Sequence, residues 1–196
     1  MEGGVSFPLG GPAFLKLMFG VSYMYLKFEA RDGYYQYGPN NHDPSMSNPY
    51  VPWNPGWPNV HLNGLGIDYT QHWLILCSGM EAGLLFDYFS ISTAISASPL
   101  VWCYAFDNHY KRDPPFLTKE TLKGGLYFEP RLNVGFAVTE HLNLGLTVAY
   151  RNIKQTRGNT EIDEYYPAGT QTSSYNDIAG AGFNALLGYI HFSCTF

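Results

Sequence analysis

The sequence predicts an all-β chain, an antiparallel up-and-down β-barrel of the outer-membrane kind with about six long strands. Composition is the first observation behind this. Only 14% of the 196 residues are charged and 17% are aromatic, yet mean hydropathy is slightly negative at −0.16. Average soluble domains carry roughly 25% charge. No stretch approaches the ~18 apolar residues of a membrane helix, so an apolar surface must be hidden by alternation. Strand length is the second observation: alternating segments run for roughly 15 to 25 residues, against the ~5 to 6 of soluble sheets. The third is rhythm. Connections alternate between long (near 32–59, 107–115 and 159–177) and short (87–88 and 139–141). Barrels with extended outer loops and tight periplasmic turns show this rhythm. The whole of 1–196 is expected to be one transmembrane domain.

Each segment can be read from its two-residue period. The first, 14–31, sets Leu15, Leu17, Phe19 and Val21 against Lys16, Met18, Gly20 and Ser22, and its parity switches near Tyr23 to Leu26, as at a bulge. The second, 60–86, sets Asp68, Thr70 and His72 against Ile67, Tyr69 and Trp73, and then turns apolar on both faces in "LILCSGMEAGLLF". In the third, 89–106, Phe89, Ile91, Thr93 and Ile95 oppose Ser90, Ser92, Ala94 and Ser96. The fourth, 116–138, is the cleanest: Phe128, Leu132 and Phe136 are expected to face lipid, and Arg131 and Asn133 the interior. The fifth, from Leu142 to beyond Tyr150, presents Leu144, Leu146 and Val148 outward and Arg151 inward. The sixth, 178–196, ends on the strictly alternating "YIHFSCTF", with Phe192 outward and Phe196 last. A terminal Phe on a closing strand is the usual mark for barrel-insertion machinery, which is therefore an expected partner along with membrane lipid. Six strands fall short of the ~8 of the smallest closed membrane barrels. Either the barrel is incomplete, with strands and a signal peptide upstream of "MEGGVSFPLGGPAF", which has neither a basic nor a continuous apolar region, or the membrane-barrel reading fails.

A net charge of −5 argues against nucleic acid as a partner. Cys77, Cys103 and Cys194 are scattered and odd in number, with no Cys/His cluster, so no metal or other cofactor is expected. They read as small apolar strand residues, with a Cys77–Cys103 disulfide as the minor alternative. The stretch "YGPNNHDPSMSNPYVPWNPGWPNV" holds six prolines together with Trp53 and Trp57. It reads as a stiffened outer loop, or alternatively as a contact surface for a host or substrate protein.

Chemistry concentrates in "FDNHYKRD". Asp107 and His109 are two apart, so an extended backbone points both to one side. An Asp bonded to a His fixes its tautomer and raises its basicity, as a general base acting on water requires. Taken alone, the pair reads more readily as a solvated turn than as a catalytic couple.

The order "AFDNHYKRD", "AVTEHLNLGLTVAYRNIKQTRGNT", then "SSYNDIAGAGFNALLGYIHFSCTF" resembles the C-terminal part of the omptin family, outer-membrane proteases with ten-stranded barrels. The likeness extends back through "IDYTQHW" and "FEARDGYYQY". It implies that Asp107 and His109 are the couple that activates water in peptide hydrolysis. It also implies a facing pair of aspartates on strands before 14–31, where this chain has no counterpart. The family's lipopolysaccharide-binding Tyr, Glu and Arg fall near Val21, Tyr23 and Tyr25, and a later Arg falls at His72, so the resemblance leaves lipopolysaccharide dependence open. Ala105 and Phe106 replace a more acidic run before the couple. Glu161, Asp163 and Glu164 are further acids, read as solvated loop charge with the cleft as the alternative. Two functions remain open on the sequence: an endopeptidase, or a non-enzymatic barrel serving as adhesin, structural protein or small channel.

Overall fold

The computed structural model describes residues 2–35, 60–61 and 63–194. Most of the proline-rich loop, with Trp53 and Trp57, and the terminal Phe196 lie outside the described residues. Among the described residues ten strands follow one another: β1 (Glu2–Gly10), β2 (Ala13–Arg31), β3 (Tyr34–Tyr35), β4 (Val60–His61), β5 (Leu65–Leu85), β6 (Phe89–His109), β7 (Phe116–Lys123), β8 (Tyr127–Ala137), β9 (Leu142–Tyr166) and β10 (Gly169–Cys194). β3 and β4 make a short separate ladder. The others form one antiparallel sheet in the order β1-β2-β5-β6-β7-β9-β10, with β8 continuing the line of β7 between β6 and β9. Among the described residues the pairings run as one path from β1 to β10. The sheet is rolled, because Glu2 on β1 reaches across its concave side to Arg131 on β8, Oε2 to Nη1, at 3.0 Å.

The two-residue period sorts side chains onto the two faces as the sequence predicts. Phe19, Leu76, Ile95, Phe128, Leu132, Phe136, Leu146, Val148 and Phe192 stand exposed on the convex face, and Leu144 is half-buried on that face. The apolar residues make a continuous band. Leu146, flanked by Val134 and Ile190, sits within it. Leu146→Lys should therefore lower the unfolding free energy in phospholipid vesicles by roughly 2–4 kcal/mol, the cost of a cation at bilayer mid-depth. A urea midpoint equal to the parent's would show that this face does not meet hydrocarbon.

The concave face has two layers. The first, level with the band, is polar. Glu81 accepts from Ser92 Oγ (2.5 Å) and Asn133 Nδ2 (3.2 Å), while Thr147 donates to Asn133 Oδ1 (2.8 Å). Beside them Glu129 accepts from Arg151 Nε (2.5 Å). The second layer is an apolar plug of Trp73, Ile75, Val101, Cys103, Leu122, Tyr127 and Ile153, all fully buried, with Met24 and Leu26 packed against it. This plug explains two features of the sequence pattern. The run "LILCSGMEAGLLF" is apolar on both faces because Ile75 and Cys77 enter the plug while Leu74 and Leu76 face outward. The parity switch expected near Tyr23 to Leu26 is not a bulge. β2 pairs with β5 in unbroken register from Ala13 to Ala30, and only the interior's polarity changes along it.

Four other expectations are corrected. Residues before the first predicted segment form β1, whose mixed "EGGVSFPLG" lacks a clean period because all nine residues are exposed. The segment 60–86 starts as strand only at Leu65, since Val60 and His61 pair with β3. The segment 116–138 is two strands, because Gly124 and Gly125 take positive φ (78° and 87°) and break the line. The jog exchanges the inward parity, from Leu122 on one side to Tyr127 on the other. The region 159–177 is not an outer loop but the paired ends of β9 and β10, in register from Tyr166↔Gly169 to Thr160↔Tyr175. Both faces there are polar, so hydropathy loses its alternation while backbone pairing continues. A parity change unmarked in the sequence lies on β6, where the register with β5 shifts between Leu76 and Ser78. There Ser98 Oγ accepts from Leu100 N (2.8 Å) and donates to Leu76 O. All three cysteines are free, Cys77 and Cys103 buried in the sheet.

Candidate active site at the rim

β9 holds 25 residues, roughly 80 Å at ~3.3 Å per residue, whereas a barrel strand needs only ~9–11 residues to cross the hydrocarbon. More than half of its length therefore stands clear of the apolar band. Above the band, charges appear on the convex face. Lys27 Nζ meets Glu29 Oε1 at 2.7 Å and Asp68 Oδ2 at 3.4 Å, and Lys119 Nζ meets Glu161 at 2.9 Å and Asp163 at 2.7 Å. Arg31, then Lys27, hold the Glu29 carboxyl down at about 2. Bonds from Lys119 and then Thr172 keep Asp163 below the ordinary carboxylate range. Glu161 and Asp163 are thus paired with Lys119. Glu164, in register with Phe116, lies on the other face, its carboxylate accepting from Tyr166 Oη at 3.1 Å.

The couple sits on the concave side of this projecting rim. β6 continues as strand through His109, three residues further than expected, and the turn to β7 follows it. The extended backbone turns Asp107 and His109 the same way, and Nε2 of His109 lies 3.0 Å from Oδ2 of Asp107. Across the strands, Tyr69 faces Asp107 from β5 and Phe116 faces His109 from β7. The Phe116 ring stacks on the imidazole, centroids 4.3 Å apart and planes 18° apart, which fixes the ring's plane. Below, Trp73 Nε1 donates to Gln71 Oε1 (3.1 Å) and Gln71 Nε2 donates to Tyr69 Oη (2.7 Å), which ties the floor of the couple to the apolar plug. His109 opens on a cleft of about 340 Å³, also lined by Glu29, Tyr34, Ile67 and Arg112.

Sequence reasoning missed three contributors: Tyr69, Phe116 and Glu120. Each stands on the concave face at the level of the couple, as register with β6 would have shown. Burial and then the charge of Asp107 push the Glu120 carboxyl above its usual range. Among the described residues no group of three or more His, Cys, Asp or Glu is arranged to hold a metal ion.

The omptin family's model matches residues 11–196. Among solved structures, the chain is similar to the outer membrane protease OmpT from Escherichia coli, with a TM-score of 0.78 and 19% sequence identity. That match covers 98% of this chain and 61% of the other, so the chain spans about three fifths of OmpT's length. No curated protein matches the chain. An antiparallel rolled sheet with an apolar convex band, matched by the family's model over nearly its whole length, leaves one assignment: the chain belongs to the omptin family and is an outer-membrane β-barrel protein.

Proposed function

We propose that the protein is a surface endopeptidase in which His109 removes a proton from water and Asp107 orients the imidazole. The contact of 3.0 Å between Asp107 Oδ2 and His109 Nε2, on the concave side of the projecting rim, carries this reading. With Nε2–H donating to the carboxylate, Nδ1 keeps its lone pair for the water. The deprotonated water attacks the scissile carbonyl carbon, and the imidazolium then returns the proton to the departing amine. Family membership supports the same assignment. The concave filling of Trp73, Tyr127 and Glu129 argues against a small open channel. Recognition of the C-terminal sequence "YIHFSCTF" by barrel-insertion machinery remains part of the proposal for insertion into the outer membrane.

The test uses the longest natural form of the protein, folded in detergent and given a peptide library in ¹⁸O-labelled water. Cleavage should place one ¹⁸O in each new carboxyl terminus in a single turnover and leave no covalent acyl adduct on the protein. A trapped adduct, or no cleavage by the parent, would remove the reading.

A further inference from the structure

We propose that Glu120 is a positioning residue for the water-activating couple: its carboxyl, carrying a proton, donates to Oδ1 of Asp107 and aligns that carboxylate with the imidazole of His109. This inference rests on the reading of Asp107 and His109 given above.

The two oxygens of Asp107 are treated unequally. Oδ2 engages His109, whereas Oδ1 is shut away from solvent and has no hydrogen-bond partner among the described residues. An anionic oxygen in that position is costly unless a donor reaches it. The register supplies one candidate from the neighbouring strand. Ala105 pairs with Glu120 and Asp107 with Thr118, so Glu120 and Asp107 are diagonal neighbours on one face. Long side chains bridge that spacing.

Protonation is what suits Glu120 to the role. From β6, Asp107 and Cys103 face it, from β5 Tyr69 and from β9 the uncharged Thr160. Lys119, its nearest cation in sequence, points to the opposite face and is committed to Glu161 and Asp163. Among the described residues Asp107 is the charged group that acts on Glu120, so the pair of carboxyls is most stable sharing one proton. The Glu120 carboxyl is indeed pushed upward, by burial first and by the Asp107 charge second. Tyr69 is the rival donor, since it stands directly across from Asp107 with its oxygen already accepting from Gln71.

The consequence is an activity limb on the alkaline side. As pH rises through the titration of Glu120, Asp107 loses its donor and gains a repelling neighbour, and the rate falls.

The experiment compares the parent, Glu120→Gln, Glu120→Leu, Asp107→Asn and Tyr69→Phe in the longest natural form. Infrared difference spectra near neutral pH should show a protonated-carboxyl band that vanishes in Glu120→Gln, moves in Asp107→Asn and persists in Tyr69→Phe. On a cleaved peptide, Glu120→Leu should lower kcat about tenfold or more with KM unchanged, as expected when only a rate-step interaction is lost. Glu120→Gln restores the donor, so it should recover most of that loss and abolish the alkaline limb. An absent band, a Glu120→Leu kcat equal to the parent's, or a Glu120→Gln as slow as Glu120→Leu would each overturn the proposal. Should Glu120→Leu fail to fold, the band and the pH profile of Glu120→Gln decide alone. Cleavage that needs His109 but shows no band sinks this inference only. The band without any cleavage sinks the hydrolytic reading and leaves the carboxyl pair standing.

Discussion

Glu129→Leu is expected to unfold at a much lower urea concentration than the parent, with a loss of about 3–5 kcal/mol, the usual result of removing one partner from a buried ion pair. Glu129 is 3% exposed, yet its oxygens serve two guanidinium groups. Oε2 accepts from Arg151 Nε at 2.5 Å, and Oε1 lies 3.7 Å from Arg131 Nε, close enough for charge attraction but too far for a hydrogen bond. The two arginines differ in what remains after the substitution. Arg131 keeps Glu2 at 3.0 Å and Ser96 Oγ at 3.2 Å. Arg151 keeps the face of Tyr127, 5.9 Å from its guanidinium carbon, but no second carboxylate among the described residues. Most of the loss should therefore trace to Arg151. The double variant Glu129→Leu with Arg151→Leu should regain a large part of it, because the stranded charge is gone. Urea titration followed by heat-dependent gel mobility measures both. Equal midpoints for parent and Glu129→Leu would mean that water enters this layer and replaces the carboxylate.

The lipid face was legible because hydrocarbon imposes one requirement at every outward position. Phe128, Leu132, Phe136 and Val148 stand where a two-residue count puts them. The inward placement of Arg131, Asn133 and Arg151 followed from the same count. Sequence pattern was least informative where the outside stops being lipid. Above the band both faces of β9 and β10 are wet, so Ile162, Asp163 and Glu164 alternate in nothing that hydropathy detects, although their backbones pair without a gap. The opposite failure occurs inside the plug, where apolar residues fill both faces of β5 and erase the contrast. Register shifts were the third blind spot. The Gly124–Gly125 jog and the bulge at Ser98 each exchange inward and outward parity, and neither residue type is diagnostic alone. For the candidate site, the meeting of Asp107 and His109 was readable because they are two apart on one strand. Tyr69, Phe116 and Glu120 come from other strands, and only pairing register brings them to the couple.

His109→Ala should reduce kcat/KM for peptide cleavage by roughly 10²–10⁴-fold, the range that a positioned general base contributes. That corresponds to about 3–5 kcal/mol of barrier. Stability should change little, since the imidazole's main packing contact is the stacked ring of Phe116 at a partly open rim. Changes at Asp107 should follow an order that tests how the couple works rather than only whether it is needed. In Asp107→Asn the amide nitrogen can donate to Nε2, which favours the tautomer with its proton on Nδ1 and removes the lone pair that water requires. In Asp107→Ala neither tautomer is enforced, and a fraction of the imidazole stays competent. Asp107→Ala should consequently retain more activity than Asp107→Asn, although it is the larger truncation. The opposite order would indicate that Asp107 acts chiefly through its charge on the imidazolium rather than by holding the tautomer. Wild-type rates in His109→Ala would remove the couple from the chemistry altogether, whatever the behaviour of Asp107.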